Sequence, residues 1–434
     1  MTPSVRGLSL CLPLLLLPVG ALAQAAGADP IAESRAHYRE AVRAYQAGDH
    51  AGFLAHARQA QALRPAHGGV TYALASAYAL NGDTAAALGS LRRFAAMGYT
   101  AELEADSDFA ALRGSTAYAE LQRRLQSNRE PVVRGRVAFE LPERDLLAEG
   151  IAYDEREGAF YVSAVHRRKI VRMDLEGRFT DFATLEGPEG GAPLGLRVDP
   201  VRRQLWVAVA AMPQMRGYVA ADSGRSALHR YDLDSGRLTA RYATPNDGRA
   251  HGLGDVIVTR GGDVYASDSR APVIYRLRPG ADALQPWVES PLLGSAQGMA
   301  LAPDERTLYV ADYARGILRI DVARRTVADV PAADSVVALG IDGLYQADGH
   351  LVGIQNGVAP HRVVRLRLTA GGDRIESAEV LDRAHPSHNE PTLGVLVGHE
   401  LYYVANSQYE YFGQDGRVAR PDSLRHPVVL RLRL

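Results

Sequence analysis

The chain has 434 residues, with 49 Lys and Arg set against 50 Asp and Glu and a formal net charge of -1, a balance that excludes a nucleic-acid surface or a polybasic membrane anchor. Its length suits two domains. Its single cysteine, Cys11, leaves no disulfide framework and no thiolate metal site.

The first element in chain order is a targeting segment. Arg6 precedes the apolar run "LSLCLPLLLLPVGALA", and Ala21-Leu22-Ala23 offers the small residues of a cleavage site before Gln24. The expectation is a cleaved signal peptide over residues 1–23, which removes Cys11 and sends the mature chain to the periplasm of a bacterium or outside the cell. No later segment is long and apolar enough to span a bilayer.

Residues 31–127 read as helix. "YQAGDHAGFLAHARQAQALRP" and "YALNGDTAAALGSLRRFAAMG" share one frame, in which Gly48-Asp49 recurs as Gly82-Asp83 and Ala57 as Leu91. The offset is that of a tetratricopeptide repeat. Small residues such as Ala41, Ala57, Ala75 and Ala79 allow close helix contact, and "DSDFAALRGSTAYAELQRRL" adds two helical pieces that cap the stack. A small tetratricopeptide-like domain is expected here, either with a protein partner or as a stabilising appendage.

After the linker "NREPV" the periodicity changes to alternation. Six phrases follow between residues 133 and 434: "EGIAYDEREGAFYVSA", "LGLRVDPVRRQLWVAV", "GDVIVTRGGDVYASDS", "QGMALAPDERTLYVAD", "DGLYQADGHLVGIQNG" and "LGVLVGHELYYVANSQ". Most are trailed by a third strand such as "IVRMDLEG" or "IYRLRPGA". Repeated four-strand units of this kind predict an all-β six-bladed β-propeller. The sixth unit is one strand short at the C-terminus, and "VVRGRVAFEL", ahead of the first phrase, is a spare strand that can complete it and remove the open edge.

In a propeller the first strand of each blade lines the central channel, so the residues that open those strands ring one mouth. They are Glu149, Leu194, Gly254, Gln297, Asp342 and Leu393. Two carboxylates facing each other in a confined mouth require either a proton or a cation between them. Oxygen donors from Glu149, Asp342 and the Gln297 amide, without cysteine, point to a hard divalent cation, calcium before magnesium or manganese.

The phrases "EGIAYD", "QGMALAPDERTLYVAD" and "DGLYQADG" resemble those of the SMP-30/gluconolactonase/LRE family. The resemblance implies a six-bladed propeller with a central divalent metal that hydrolyses lactones or related esters. It implies a metal held by a glutamate, two asparagines and an aspartate, the aspartate serving also as general base. Glu149 and Asp342 match the acids; Gln297 stands at one asparagine, Gly254 at the other, and Asp255 follows it.

Further polar residues are expected at the same mouth as a substrate pocket: His251 and Asp255 in "NDGRAHGLGD", and His388, Asn389 and Glu390, together with His385, in "HPSHNEPT". Two insertions, "AMPQMRGYVAADSGRSA" in blade two and "SQYEYFGQDGRVARPDSLRHP" in blade six, fall between second and third strands. Their Met212, Met215, Tyr218, Tyr409, Tyr411 and Phe412 suit a lid over a small organic ligand as well as plain surface loops. Asp268 and Asp312, at second-strand ends, read as braces. No phosphate-cradling loop, GxSxG elbow or H-E-x-x-H occurs. Two readings therefore stand: an exported metal-dependent lactone or ester hydrolase, with Asp342 as its catalytic base, and a non-catalytic scaffold that binds a ligand or protein at its mouth.

Overall fold

The structure is a computed structural model, and it describes residues 29–187 and 190–434. The expected signal segment and Cys11 lie outside the described residues. The chain divides into two compact units between Asn128 and Arg129.

The first unit carries helices α1 (Pro30–Gln46), α2 (His50–Leu63), α3 (Gly68–Leu80), α4 (Thr84–Ala96) and α5 (Thr116–Arg129). Gly48 and Gly82 take φ of +72° and +79°, the left-handed turn that ends one helix. Asp49 and Asp83 then cap the next, accepting from Gly52 N at 2.9 Å and Ala86 N at 3.0 Å. Ala41, Phe53 and Ala57 pack with Leu74 and Ala77 in one core; Ala75, Leu91 and Phe94 join Phe109 and Leu121 in another. Phe109 comes from a short 3-10 helix, Ser107–Leu112, so both capping pieces contribute to the stack.

The second unit is a six-bladed propeller of six four-stranded antiparallel sheets. Blade one runs Ala148–Asp154, Ala159–Ala164, Lys169–Met173 and Phe179–Thr184, and the next four repeat that order without crossover. Blade six consists of Gly394–Val397, Glu400–Val404 and Val428–Arg433, completed by Arg136–Glu140 from ahead of blade one. The spare strand thus closes the ring as expected.

Each interface between neighbouring blades holds its own apolar cluster. Trp206 and Leu228 of blade two meet Val256 and Tyr275 of blade three; Val162 of blade one meets Val404 and Val429 of blade six. Four further clusters seal the remaining interfaces. Each large side chain taken out of water there contributes about 1.5–3 kcal/mol. The apolar side chains lie between blades, which leaves the central mouth to polar residues.

Candidate functional site

Five of the six inner strands break register at the residue that faces the channel. In blade one the pairing jumps from Ala148↔Ala164 to Ile151↔Val162, so Glu149 and Gly150 oppose Ser163 alone. Leu194-Gly195, Gly254-Asp255, Gln297-Gly298 and Asp342-Gly343 form the same two-against-one bulge. A bulge re-aims one side chain, here the ring residue of each blade. The next residue is glycine in four of the five because the neighbouring blade comes too close: a Cβ on Gly150 would stand 2.3 Å from Leu194 O, and one on Gly298 2.4 Å from Asp342 O. Blade three carries Asp255 instead, and its carboxylate turns sideways to accept from Met299 N of blade four at 3.0 Å.

Glu149 is buried, and its Oε2 has no hydrogen-bond partner. Burial, followed by the charges of Asp342 and Glu390, pushes its carboxyl well above the usual range. Asp342 is pushed up to about 6 by burial and by the charge of Asp255, opposed by the Asn356 amide, whose Nδ2 donates to Oδ2 at 2.8 Å. Tyr313 fixes that amide by donating to Asn356 Oδ1 at 3.0 Å. Glu390, at φ +59°, is pushed up to about 7 by burial and by Asp342 and Glu410. Three carboxyls thus sit within electrostatic reach with no cationic side chain among the causes acting on them.

Of the residues expected at the mouth, Glu149, Asp342 and Glu390 come together. Gln297 points its Oε1 toward Gly254, 3.5 Å from where a Cβ there would lie, and its Nε2 donates to Ser295 Oγ at 3.3 Å. His251 is otherwise engaged. Its Nδ1 lies 2.7 Å from Asp268 Oδ2 and its Nε2 3.1 Å from Asp247 Oδ1, so both ring nitrogens are taken and the residue braces blade three. Asp255 braces blades three and four. His388 reaches Tyr403 through Nε2 at 2.9 Å, and burial drives its pKa down to about 3. Asn389 donates to Glu410 Oε1 and Tyr411 Oη, each at 3.2 Å. His388 and Asn389 line a separate cleft of about 600 Å³ beside blade six, with Arg144, Tyr411, Arg425 and His426; neither Glu149 nor Asp342 lines it. Asp268 and Asp312 accept from backbone N–H groups at their strand ends, the bracing role expected.

Asn356 and Tyr313 are absent from the residues expected at the mouth, and Tyr409 is expected there only as part of a lid. Asn356 and Tyr313 follow second strands at the same rim, in "GIQNG" and "VADY", where the pattern of strand ends could have found them. Tyr409 belongs to the blade-six insertion, which meets the blade-two insertion: Met215, Phe412 and Leu424 pack together on Leu147 and Leu194, with Met212, Tyr218, Tyr409 and Tyr411 against them. Burial, followed by the charges of Glu149, Glu390 and Asp342, pushes the Tyr409 phenol well up.

Among the described residues, no three His, Cys, Asp or Glu side chains are grouped to hold a metal ion by themselves. The bare, buried Oε2 of Glu149 beside the Asp342 charge is the chemistry a hard cation takes, while Gln297 Oε1 is placed only by its approach to Gly254.

The family model described as SMP-30/Gluconolactonase/LRE-like region matches residues 147–365, half of the chain. No curated protein matches it. Among solved structures, a gluconolactonase of Xanthomonas campestris is 17% identical with a TM-score of 0.46, covering 70% of this chain and 95% of its own. Virginiamycin B lyase of Staphylococcus aureus, solved with quinupristin as a catalytically inactive variant, is 16% identical at TM-score 0.46, covering 68% of this chain and 83% of its own. An aldose sugar dehydrogenase of Streptomyces coelicolor, in its PQQ-bound form, is 16% identical at TM-score 0.46, covering 70% and 99%.

Proposed function

The chain belongs to the SMP-30/gluconolactonase/LRE-like family, and from that premise we propose that it is an exported hydrolase of lactones or related esters that works with a divalent cation, calcium before magnesium or manganese. The observation that carries this reading is the buried, unpartnered Oε2 of Glu149 facing two further carboxyls of raised pKa. Glu149, Asp342 and the Gln297 amide would hold the cation. When bound, it would polarise the acyl carbonyl and stabilise the developing oxyanion.

The chain's own groups supply the proton transfers. Asp342, whose carboxyl burial pushes up, would take a proton from water as that water's oxygen bonds to the acyl carbon. The Asn356 amide, locked by Tyr313, holds Asp342 Oδ2 and leaves Oδ1 clear of that bond. Glu390, near 7, carries a proton in part of the population and can give it to the alkoxide as the ring or ester C–O bond breaks. The proton on Asp342 then restores the balance through solvent. The helical hairpins of the first unit, tetratricopeptide-like in their spacing, would serve as a docking site for a partner protein.

Gly254 and Leu194, which bring no donor to the ring, favour a second reading in which the mouth binds a ligand without turnover. Elemental analysis combined with a lactone and ester screen separates the two. About one calcium per chain, with turnover lost on chelation and in Asp342→Ala while the protein stays folded, supports the hydrolase. A metal-free wild type after dialysis against calcium, or turnover indifferent to chelator, sinks it.

A further inference from the structure

Helices α1 and α2 of the first unit form a hairpin turned at Ala47-Gly48-Asp49. The buried Ser34 of α1 donates through Oγ to Ala60 O of α2 at 2.8 Å. Nearer the turn, Ala41 shares one buried cluster with Phe53 and Ala57. Because Ala41, Ala57 and Ala60 carry only a methyl group and are fully buried, the two helices close up along this line. His37 lies one turn after Ser34 and His56 one turn before Ala60, so the pair stands between those two ties. The points from which both imidazoles spring are therefore fixed by the backbone.

The imidazoles face each other through like atoms. His37 Nδ1 and His56 Nδ1 are 3.4 Å apart, with ring centroids 5.7 Å apart and planes inclined by 30°. A hydrogen bond at that distance is long beside the about 2.7–3.2 Å of an ordinary N–H donor. A shared ion fits it better. Two nitrogens each about 2.0–2.1 Å from a tetrahedral zinc ion stand about 3.3–3.4 Å apart, whereas at the right angle of a square-planar ion they stand about 2.8–3.0 Å apart. Behind the pair, Glu33 Oε1 lies 4.0 Å from His37 Nε2. A carboxylate on that side favours the proton on Nε2 and leaves Nδ1 with its lone pair for a metal. The nearby cations are turned elsewhere: Arg58 donates to Tyr78 Oη at 3.2 Å, and Arg43 pairs with Glu40 at 2.7 Å. Both histidines are half-buried, so an ion has a way in. Among the described residues no third His, Cys, Asp or Glu joins them, and water would fill the remaining positions, as at an open site.

We propose that His37 and His56 form a metal site of their own, in the helical unit, which takes zinc in tetrahedral coordination through the two Nδ1 atoms and clamps α1 to α2. The proposal does not rest on the cation reading of the mouth. Its donors are imidazole nitrogens, which suit zinc, and those at the mouth are oxygens, which suit calcium. An ion that binds the folded hairpin and not the unfolded chain adds stability that grows with its concentration.

The test is calorimetric titration of the purified chain with zinc chloride in excess calcium chloride, beside His37→Ala, His56→Ala and Glu149→Gln, with thermal melts of each protein with and without zinc. Alanine is the better helix former, so the histidine variants keep α1 and α2, and circular dichroism without zinc checks this. The expected result is one zinc per chain in the wild type and in Glu149→Gln, no uptake in either histidine variant, and a melting temperature raised by zinc only where both histidines are present. Uptake retained in either histidine variant, uptake lost in Glu149→Gln, or no uptake by the wild type overturns the site. A melting temperature indifferent to bound zinc overturns the clamp. Because calcium is in excess throughout, each of these outcomes is separate from the reading of the mouth.

Discussion

Blades three and five use the same backbone device for opposite ends. Each opens its inner strand with a bulge, at Gly254-Asp255 and Asp342-Gly343, and each carries acids at the rim. In blade three His251 is held between Asp268 and Asp247, with Tyr275 Oη 3.1 Å from its Nδ1, and Asp255 is spent on Met299 N. The charges of His251, Asp268 and Asp247 are paired with one another, although the buried Asp255 also pushes Asp342 up. In blade five Asp342 has one neutral amide and faces other acids. A cluster whose charges are already paired holds the fold, whereas one left unbalanced has free energy to give to a ligand or a proton.

The widest separation between the two blades should appear on mutation. Asp342→Asn is expected to lower turnover by about 10²–10⁴-fold with little loss of stability, because a neutral amide relieves the repulsion with Glu149. His251→Ala should do the reverse. It leaves the buried Asp268 Oδ2 without its partner while Oδ1 keeps its backbone donors, which costs about 1–3 kcal/mol, and turnover by the folded fraction stays at the wild-type level. Steady-state assays and urea denaturation of both variants measure this directly. Loss of turnover in folded His251→Ala would mean that blade three takes part in the chemistry.

This contrast was only half legible in the amino-acid sequence. The repeat phrases carry the blade count and the closing strand, because inner and second strands must alternate to fill the interfaces on both sides. Five of the ring positions were legible as the bulges that open a recognisable phrase, whereas Leu393 precedes a strand that pairs without one. What could not be read is which charges find partners. His251 and Asp268 are 17 residues apart, on different sides of a strand turn, and nothing local distinguishes that pair from Asp342 and Glu390. The path of the blade-six insertion is likewise a tertiary fact: Gly416 meets Met215 across about 200 residues of intervening chain.

A smaller effect follows from pH. Asp342 and Glu390 have raised pKa values in the folded protein, about 6 and about 7, so the native state holds protons that the unfolded chain has already released. Stability from these two groups is therefore greatest below the ordinary carboxylate range and falls as pH rises from about 4 to 7. Thermal melts in chelator should show a melting temperature that declines by several degrees over that window. Calcium should flatten the decline, because a bound cation pairs the ionised forms. His251, raised by Asp268, adds stability that is lost as pH rises beyond its folded pKa, and in His251→Ala that part of the slope disappears. A decline unaltered by calcium would place no cation among the acids.

The smallest effect compares two glycines of the same ring. A Cβ on Gly298 would meet Asp342 O and Leu344 N, both at 2.4 Å, and backbone atoms cannot swing aside. Gly298→Ala should therefore cost about 1–3 kcal/mol and disturb the Asp342 bulge, lowering turnover as well. A Cβ on Gly254 would meet only Gln297 Oε1 at 3.5 Å and Ser267 Oγ at 3.9 Å, which is ordinary contact. Neither the backbone nor the packing requires glycine there, and Gly254→Ala should be neutral or stabilising by about 0.4–1 kcal/mol through the unfolded chain. If denaturant midpoints confirm that difference, the empty position in blade three is a feature of the mouth's shape, left open on the side where Gln297 and Ser267 would receive a ligand's polar edge. Equal costs at the two positions would show instead that blade three packs as tightly as its neighbours and that the mouth has no room on that side.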